Sequence, residues 1–195
     1  MKAFSQAKNR LAAALDPAER AELARTMATR VVQAAAPLPV TVVCDDDEVA
    51  EWARSVGAEV GWTPGLDLSA AVTDTIRRLA ADGVERVVVA HGDLPFASDL
   101  DLFAWVDPDV VILVPDRHER GSNVVSVPAG AGFEFSYGPD SLERHTAEAE
   151  RLGLTLRIVR SEKLGWDVDV PADLDAPGHL GTWRRPTEPP NHRSA

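Results

Sequence analysis

The sequence predicts an α/β protein with a three-layer, mostly parallel sheet, and two observations support this class. Short runs of β-branched residues alternate along the chain with segments whose apolar residues recur at helical spacing. The most apolar runs, residues 86–90 and 110–114, lack the alternation of a half-exposed strand, which is typical of parallel strands buried on both faces. Around residues 123–135 two runs follow each other directly, which indicates one reversed strand or a small antiparallel arm.

The predicted helices begin and end at recognisable signals. Asp16-Pro17-Ala18-Glu19 combines a capping residue, a first-turn proline and an acid at the third position, so a helix should run from there to about Ala36. The acidic run 45–48 opens a second helix, and because acids favour a helix N-terminus we assign no metal to it. Further helices are predicted at residues 68–81 and from Gly138-Pro139-Asp140-Ser141 to about Leu152.

The predicted strands occupy residues 39–44, 59–62, 86–90, 110–114, 124–127 and 155–159. Together these elements predict a single domain over residues 1–176. Residues 177–195 carry four prolines and little apolar content, so we expect a flexible C-terminal tail.

The composition excludes several classes of binding partner and of metal or disulfide site. The formal net charge of −11 argues against a nucleic-acid partner, although a nucleotide needs only a local basic pocket or a metal. Cys44 is the only cysteine, so an intrachain disulfide and a thiolate metal cluster are both excluded, and we expect it to be buried. The sequence shows no run of membrane-spanning length and no signal-peptide pattern, so we expect a cytoplasmic protein without membrane contacts.

Acidic residues at two strand-like segments predict a metal site. Asp93, in Gly92-Asp93-Leu94-Pro95, follows a buried strand at the edge where open α/β sheets bind ligands. Asp167 and Asp169 are two apart on an extended segment, so their side chains point the same way and could share one metal with Asp93. The alternatives are that Asp93 caps the next turn and that the pair belongs to a solvated acidic turn.

Two further segments could bind anions. The first ten residues contain Lys2, Lys8 and Arg10 and no acid, which predicts either a phosphate-binding loop or a solvated arm. Gly138 and Ser141 stand at a helix start, where free N–H groups bind a phosphate or a carboxylate, although Ser141 is also an ordinary capping residue. The sequence contains no Gly-x-Gly-x-x-Gly, Walker or Gly-x-Ser-x-Gly motif, so classical dinucleotide, P-loop and serine-hydrolase chemistry is unsupported.

The assembled motifs resemble the 2-phospho-L-lactate/phosphoenolpyruvate guanylyltransferases of coenzyme F420 biosynthesis. The segments that carry the resemblance are KAFSQAKNRL at 2–11, GDLP at 92–95, GSN at 121–123 with YGPDS and RH at 137–145, and WDVDVPADL at 166–174. The Gly-Pro-Asp-Ser…Arg-His segment is the most specific, whereas Gly-Asp-Leu-Pro occurs in many nucleotidyltransferases.

The resemblance implies a glycosyltransferase-A-like nucleotidyltransferase fold and a reaction. In that reaction, GTP and a phosphorylated three-carbon acid, phosphoenolpyruvate or 2-phospho-L-lactate, give a guanosine-diphospho adduct and pyrophosphate. The residue roles it implies are Mg²⁺ binding by Asp93, Asp167 and Asp169, acceptor binding by Asn123, Gly138 and Ser141, and triphosphate contacts by Lys2, Lys8 and Arg10.

The chain departs from the family pattern at three places. The family usually has a strand before its Val-Lys motif, whereas this chain starts almost at the lysine, so a core strand and part of the nucleotide loop would be missing. Ser69 stands where the family often has asparagine, and Val170 where it often has threonine. Open alternatives are another base or acceptor on the same fold, and an inactive binding or scaffold homologue. The oligomeric state, including a homodimer, is also open.

Overall fold

A computed structural model describes residues 1–181. The helices are α1 (Pro17–Ala34), α2 (Asp47–Ser55), α3 (Leu68–Ala81), α4 (Ser141–Arg151) and α5 (Glu162–Gly165). The strands are β1 (Thr41–Cys44), β2 (Glu59–Trp62), β3 (Arg86–Ala90), β4 (Val110–Pro115), β5 (Ser122–Pro128) and β6 (Thr155–Ile158). Every predicted helix and strand is present, with ends shifted by at most a few residues. The capping box predicted at Asp16 and Glu19 opens α1, with hydrogen bonds of 2.7 and 2.9 Å between their side chains and each other's backbone N–H.

The strands form two sheets within the described residues. β1 pairs with β2 in parallel, and a second sheet has the order β3-β5-β4-β6. β5 is antiparallel to β3 and β4, whereas β4 and β6 are parallel. β5 is therefore the predicted reversed strand, and the other three strands of its sheet share one direction. The alternative of an antiparallel arm is wrong, because Phe133 and Phe135 lie outside any strand and pack into the core.

Helices cover both faces of the four-stranded sheet, which confirms the α/β class. Val87 and Val89 of β3 face a core formed with α3 and α4. Their neighbours Val88 and Ala90 face a second core that includes the end of α1 and the short α5. This alternation follows from the pleat of a strand that is covered on both sides.

A separate apolar cluster joins the start of the chain to its closing segment. Leu11 and Leu15, from the loop before α1, pack with Val168 and Leu174, and all four side chains are nearly or fully buried. Burial of these side chains holds the basic first segment against the acidic segment 167–169.

Three further predictions concern Cys44, membrane-spanning segments and the C-terminal tail. Cys44 is buried, as predicted. None of the helices in residues 1–181 combines the length and hydropathy needed to cross a bilayer. In the predicted tail, Gly178–Leu180 forms a short 3-10 helix with Leu180 buried, and residues 182–195 lie outside the described part of the chain.

Candidate active site

Asp93 lies just beyond the carboxyl end of β3, as the sequence predicts. Its side chain is 23% exposed, and its Oδ2 accepts a hydrogen bond of 2.7 Å from Nζ of Lys8. The other oxygen, Oδ1, is buried without a hydrogen-bond partner within residues 1–181, and lies 4.0 Å from Nδ1 of His91. One carboxylate oxygen of Asp93 is thus satisfied, whereas the other has no partner among the described residues.

Lys8 connects Asp93 to the closing acidic segment. Its Nζ donates to Asp93 Oδ2 and to Asp169 Oδ1, the latter at 2.9 Å, and only 11% of the side chain is exposed. Burial lowers the pKa of Lys8, but the two carboxylates outweigh burial, so the pKa lies above its usual value. Burial likewise opposes ionisation of Asp93, and the Lys8 charge reverses this and lowers the Asp93 pKa. Both groups are therefore charged at neutral pH.

Asp167 is the third carboxylate of this group. Its Oδ1 lies 3.5 Å from Nη1 of Arg117, which also donates to the Asp167 backbone oxygen at 2.8 Å. Burial raises the Asp167 pKa, and the negative charges of Asp93 and Asp169 raise it further. The structure thus brings the three predicted acids into one electrostatically coupled group.

The donor set fits a hard divalent cation. The three acids offer only carboxylate oxygens, and Asp93 Oδ1 is buried and unpaired. In the described residues, no three histidine, cysteine or acidic side chains are already arranged around one metal position, since the Lys8 ammonium lies between Asp93 and Asp169. Assignment of Asp93, Asp167 and Asp169 to magnesium stays a prediction.

The predicted cations differ in position. Lys8 is at the centre of the site, whereas Arg10 is on its outer edge, with a 77% exposed side chain and Nη1 3.8 Å from Asp169 Oδ2. Lys2 is exposed and lines a cavity beside β3. Only Lys8 is brought into direct contact with two of the acids.

The predicted acceptor residues lie on the neighbouring strand and helix. Ser141 is buried at the start of α4, and its Oγ accepts from the backbone N–H of Ser122 at 3.0 Å. Asn123, next along β5, is also buried, and its Nδ2 donates to the backbone oxygen of Leu164 at 3.0 Å. Its own backbone oxygen accepts from His91 N–H at 3.0 Å, so this group adjoins the segment that carries Asp93.

Gly138 forms the turn in front of α4. Its backbone φ of +109° is one that residues other than glycine rarely adopt. The Arg144 guanidinium holds the preceding loop by donating to backbone oxygens of Ser136, at 3.2 Å, Tyr137, at 3.2 Å, and Pro139. Of the predicted acceptor residues, Gly138 therefore stands on a loop that is held in place by hydrogen bonds to its backbone. Their contact with an acceptor stays a prediction.

Comparison with known proteins identifies the family. A family described as "Guanylyl transferase CofC like" matches residues 1–176. The chain belongs to this family. Among its curated relatives, the phosphoenolpyruvate guanylyltransferase of Chloroflexus aurantiacus is 34% identical and that of Roseiflexus castenholzii is 33% identical. The first alignment covers 87% of each chain, and the second covers 94% of this chain and 90% of the relative.

Solved structures show the same fold at lower identity. A putative nucleotide-diphospho-sugar transferase from Desulfovibrio desulfuricans matches with a TM-score of 0.68 and 19% identity, over 87% of this chain and 80% of the other. CMP:2-keto-3-deoxy-manno-octonic acid synthetase matches with a TM-score of 0.53 and 14% identity, over 77% and 83%. The nucleotidyltransferase fold expected from the sequence is thereby confirmed.

Sequence analysis missed two residues that position the acids of this CofC-like protein. Asp173 is buried, and its Oδ2 accepts from the backbone N–H groups of Asp169 and Val170 at 2.7 and 2.8 Å. Its Oδ1 pairs with the guanidinium of Arg117, which lies 4.5 Å from the Trp166 ring centre. The sequence does contain a signal for Asp173. It is an acid three positions after Val170, where a side chain can accept hydrogen bonds from backbone N–H groups and cap the turn.

Two buried polar groups beside Asp93 were also missed. The Tyr137 hydroxyl and Nε2 of His91 are buried and have no hydrogen-bond partner among residues 1–181, and the two rings lie 5.1 Å apart. The Tyr137 backbone N–H donates to Oγ of Ser69 at 2.9 Å, which fixes the loop to α3. No local sequence signal identifies such groups, because their burial depends on residues from distant segments.

Proposed function

We propose that the protein is a magnesium-dependent guanylyltransferase that transfers GMP from GTP to phosphoenolpyruvate and releases pyrophosphate. The family and the printed names of its relatives support the type of reaction. The observation that carries the proposal is the contact of Lys8 with Asp93 and Asp169, which lie 85 and 161 positions away in the sequence. A scaffold that binds neither a metal nor a phosphate group has no need for this charged group.

The chemistry requires no base from the protein. A phosphate oxygen of the acceptor attacks the α-phosphorus of GTP, a new P–O bond forms, and the bond from the α-phosphorus to the bridging oxygen breaks to release pyrophosphate. Phosphate monoesters lose their second proton near pH 6, so the nucleophile is already an anion at neutral pH. The task of the site is to bring anions together and to stabilise the charge on pyrophosphate.

Charged residues of the chain suit this task. Lys8 presents a positive charge at the carboxyl edge of β3, and Arg10 and Lys2 can add charge from the exposed side, towards the triphosphate. Asp93, Asp167 and Asp169 would hold Mg²⁺. When bound, the ion would neutralise phosphate charge and orient the reacting groups. Asn123, Gly138 and Ser141, beside the acids, would position the three-carbon acid.

Pyrophosphate release tests the proposal directly. Purified protein is incubated with Mg²⁺ and GTP, and phosphoenolpyruvate, 2-phospho-L-lactate or 3-phosphoglycerate is supplied separately. We expect release with phosphoenolpyruvate, none without an acid, and much less with ATP, CTP or UTP. Release with 2-phospho-L-lactate alone would identify that acid as the acceptor and would leave the proposed type of reaction unchanged.

A binding assay separates an inactive homologue from an enzyme with another substrate. GTP with Mg²⁺ should raise the melting temperature, because a ligand that binds only the folded state stabilises it. No pyrophosphate release with any acid, together with an unchanged melting temperature, would contradict the proposal.

A cytoplasmic location and a homodimer are proposed with the same function and are tested by fractionation and light scattering.

A further inference from the structure

The Lys8 ammonium lies between two of the predicted metal ligands. Its Nζ is 2.7 Å from Oδ2 of Asp93 and 2.9 Å from Oδ1 of Asp169, and only 11% of the side chain is exposed. Because Mg²⁺ binds oxygens at about 2.1 Å, an ion bound to these same two oxygens would lie within about 4 Å of the ammonium. Two cations this close repel each other, and most strongly where they are shielded from water. The ammonium and a divalent cation that bridges the two acids therefore compete for one position.

The two acids need a cation at this position. Lys8 is the cation that contacts both of them, because the other nearby cation, Arg10, is 77% exposed and lies 3.8 Å from Oδ2 of Asp169 alone. Without a cation between them, Asp93 and Asp169 would face each other as like charges, with Asp93 largely shielded from water. Since such an arrangement is unfavourable, the Lys8 ammonium leaves the acids most readily when another cation replaces it.

The turn that carries Lys8 is fixed on both sides. Phe4 and Leu11, which flank the turn in sequence, are 1% and 0% exposed, and the Lys8 backbone oxygen accepts from Leu11 N–H at 2.9 Å. The Lys8 backbone has a φ of 54° and a ψ of 39°, a left-handed conformation that residues with a Cβ atom seldom adopt. Such strain persists only where surrounding contacts impose it, and it is concentrated at ligand-binding sites. Rotation of the flexible side chain, without movement of this turn, is therefore sufficient to take the ammonium away from the acids.

Other cations of the first segment lie on the exposed side of the site. Lys2 and Arg10 are both exposed, and under the proposed function they face the triphosphate. A triphosphate bound there would offer the Lys8 ammonium anionic oxygens in place of the two carboxylates. The unfavourable free energy of moving the ammonium away from Asp93 and Asp169 is therefore smaller when the nucleotide is bound.

We propose that Lys8 is an internal counter-ion of the metal site, which pairs with Asp93 and Asp169 in the free protein and turns away when a divalent cation binds to them. The free protein consequently binds the metal weakly, and a nucleotide triphosphate that accepts the ammonium strengthens metal binding. This role of Lys8 rests on the proposed function, which identifies both the metal site and the nucleotide.

Calorimetric titration with Mn²⁺ tests this role without nucleotide. Lys8→Met keeps an unbranched side chain and removes the charge. Arg10→Met is the matched control, because it removes a charge that also lies beside Asp169 but is exposed. We expect Lys8→Met to bind Mn²⁺ at least about 10-fold more tightly than the unmodified protein does. The affinity of Arg10→Met should differ from that of the unmodified protein by less than about threefold, since exposed charges interact weakly.

Nuclear magnetic resonance follows the ammonium in the unmodified protein, so this measurement does not depend on a variant that folds. The chain has three lysines, Lys2, Lys8 and Lys163, so ¹⁵N-labelled lysine gives a simple side-chain spectrum in which Lys8→Met assigns the Lys8 signal. Saturating Mg²⁺ should shift this signal and speed exchange of the ammonium protons with water at least about 10-fold, because the protons lose their carboxylate partners. Lys163 is exposed and forms no ion pair among residues 1–181, so its signal serves as the internal reference.

Several results would overturn this role of Lys8. Equal Mn²⁺ affinities of Lys8→Met and the unmodified protein, or an unchanged Lys8 signal with Mg²⁺ bound, would overturn it and leave the proposed function intact. Weaker binding to Lys8→Met would also overturn it and would show that the ammonium supports the metal. If neither protein bound Mn²⁺, the role of Lys8 would fail together with the assignment of the three acids to a metal.

Discussion

The ammonium nitrogen of Lys8 lies 2.7 Å from Oδ2 of Asp93, across 85 positions of sequence. The pair is largely shielded from water and is shared with Asp169. Counted with the neighbouring Arg10, Arg117 and Asp173, three cations face four carboxylates. This edge of the sheet therefore carries an excess of negative charge that a divalent cation would balance.

Replacing Asp93 with asparagine should reduce kcat for pyrophosphate release by at least about 100-fold, because a neutral amide binds a divalent cation more weakly than a carboxylate and forms no ion pair with Lys8. The Asp99→Asn variant is the matched control. Asp99 is exposed, makes no capping bond and has a positive φ that asparagine tolerates, so its activity should be unchanged. Circular dichroism checks that both variants fold. Full activity in the folded Asp93→Asn protein would refute the role of Asp93.

The Asp173→Ala substitution should lower the free energy of unfolding by about 3 kcal/mol, as expected when a buried ion pair loses one partner. The change leaves Arg117 with only the Asp167 carboxylate, at 3.5 Å, and two backbone N–H groups of segment 169–170 without their acceptor. Urea unfolding measures the loss, and Glu150→Ala on the exposed side of α4 should change stability little. Unchanged stability of Asp173→Ala would mean that segment 167–170 is held by other contacts.

His145 should make the folded state sensitive to acid. Its Nε2 accepts from Ser136 N–H at 3.0 Å, so the buried ring is neutral, and burial lowers its pKa to about 4 from an ordinary 6.5. Since the unfolded state takes up the proton first, the stabilisation is complete above pH 6.5 and is lost as the pH falls towards 4. The loss at pH 4 is about 3 kcal/mol.

Urea unfolding between pH 7 and pH 4 tests this dependence on His145. The His145→Gln variant should show a flatter decline over that window, and the exposed His118→Gln control should follow the unmodified protein. Identical pH profiles for His145→Gln and the unmodified protein would assign the acid sensitivity to other groups.

The Gly138→Ala substitution should destabilise the protein by about 1–2 kcal/mol, because alanine is strained at a φ of +109°. The displaced turn carries Ser141, so KM for phosphoenolpyruvate should rise several-fold while KM for GTP changes less. Gly130→Ala is the control, since no atom lies within 4 Å of the added methyl group and its φ is not positive. An unchanged KM for phosphoenolpyruvate would remove the turn at Gly138 from acceptor binding.

Much of the molecule could be predicted from local sequence signals. The helix start at Asp16, the reversed strand near residue 124 and the position of Asp93 after a buried strand all depend on neighbours in sequence. Periodicity, capping and turn chemistry act over a few residues, so these features are readable without the fold. Whether Asp93 shares Lys8 with Asp169 or only caps a turn could not be predicted from these local signals.

The order of helices and strands, and the acids that end extended segments, follow from local sequence signals. The position of Lys8 between Asp93 and Asp169, the support of the acidic segment by Asp173 and Arg117, and the division of the strands into two sheets were visible only in the folded protein. These contacts depend on packing between residues far apart in the chain, such as Leu11 and Val168. A single charged side chain has no periodic pattern that reveals its partner, so only the folded arrangement could identify it.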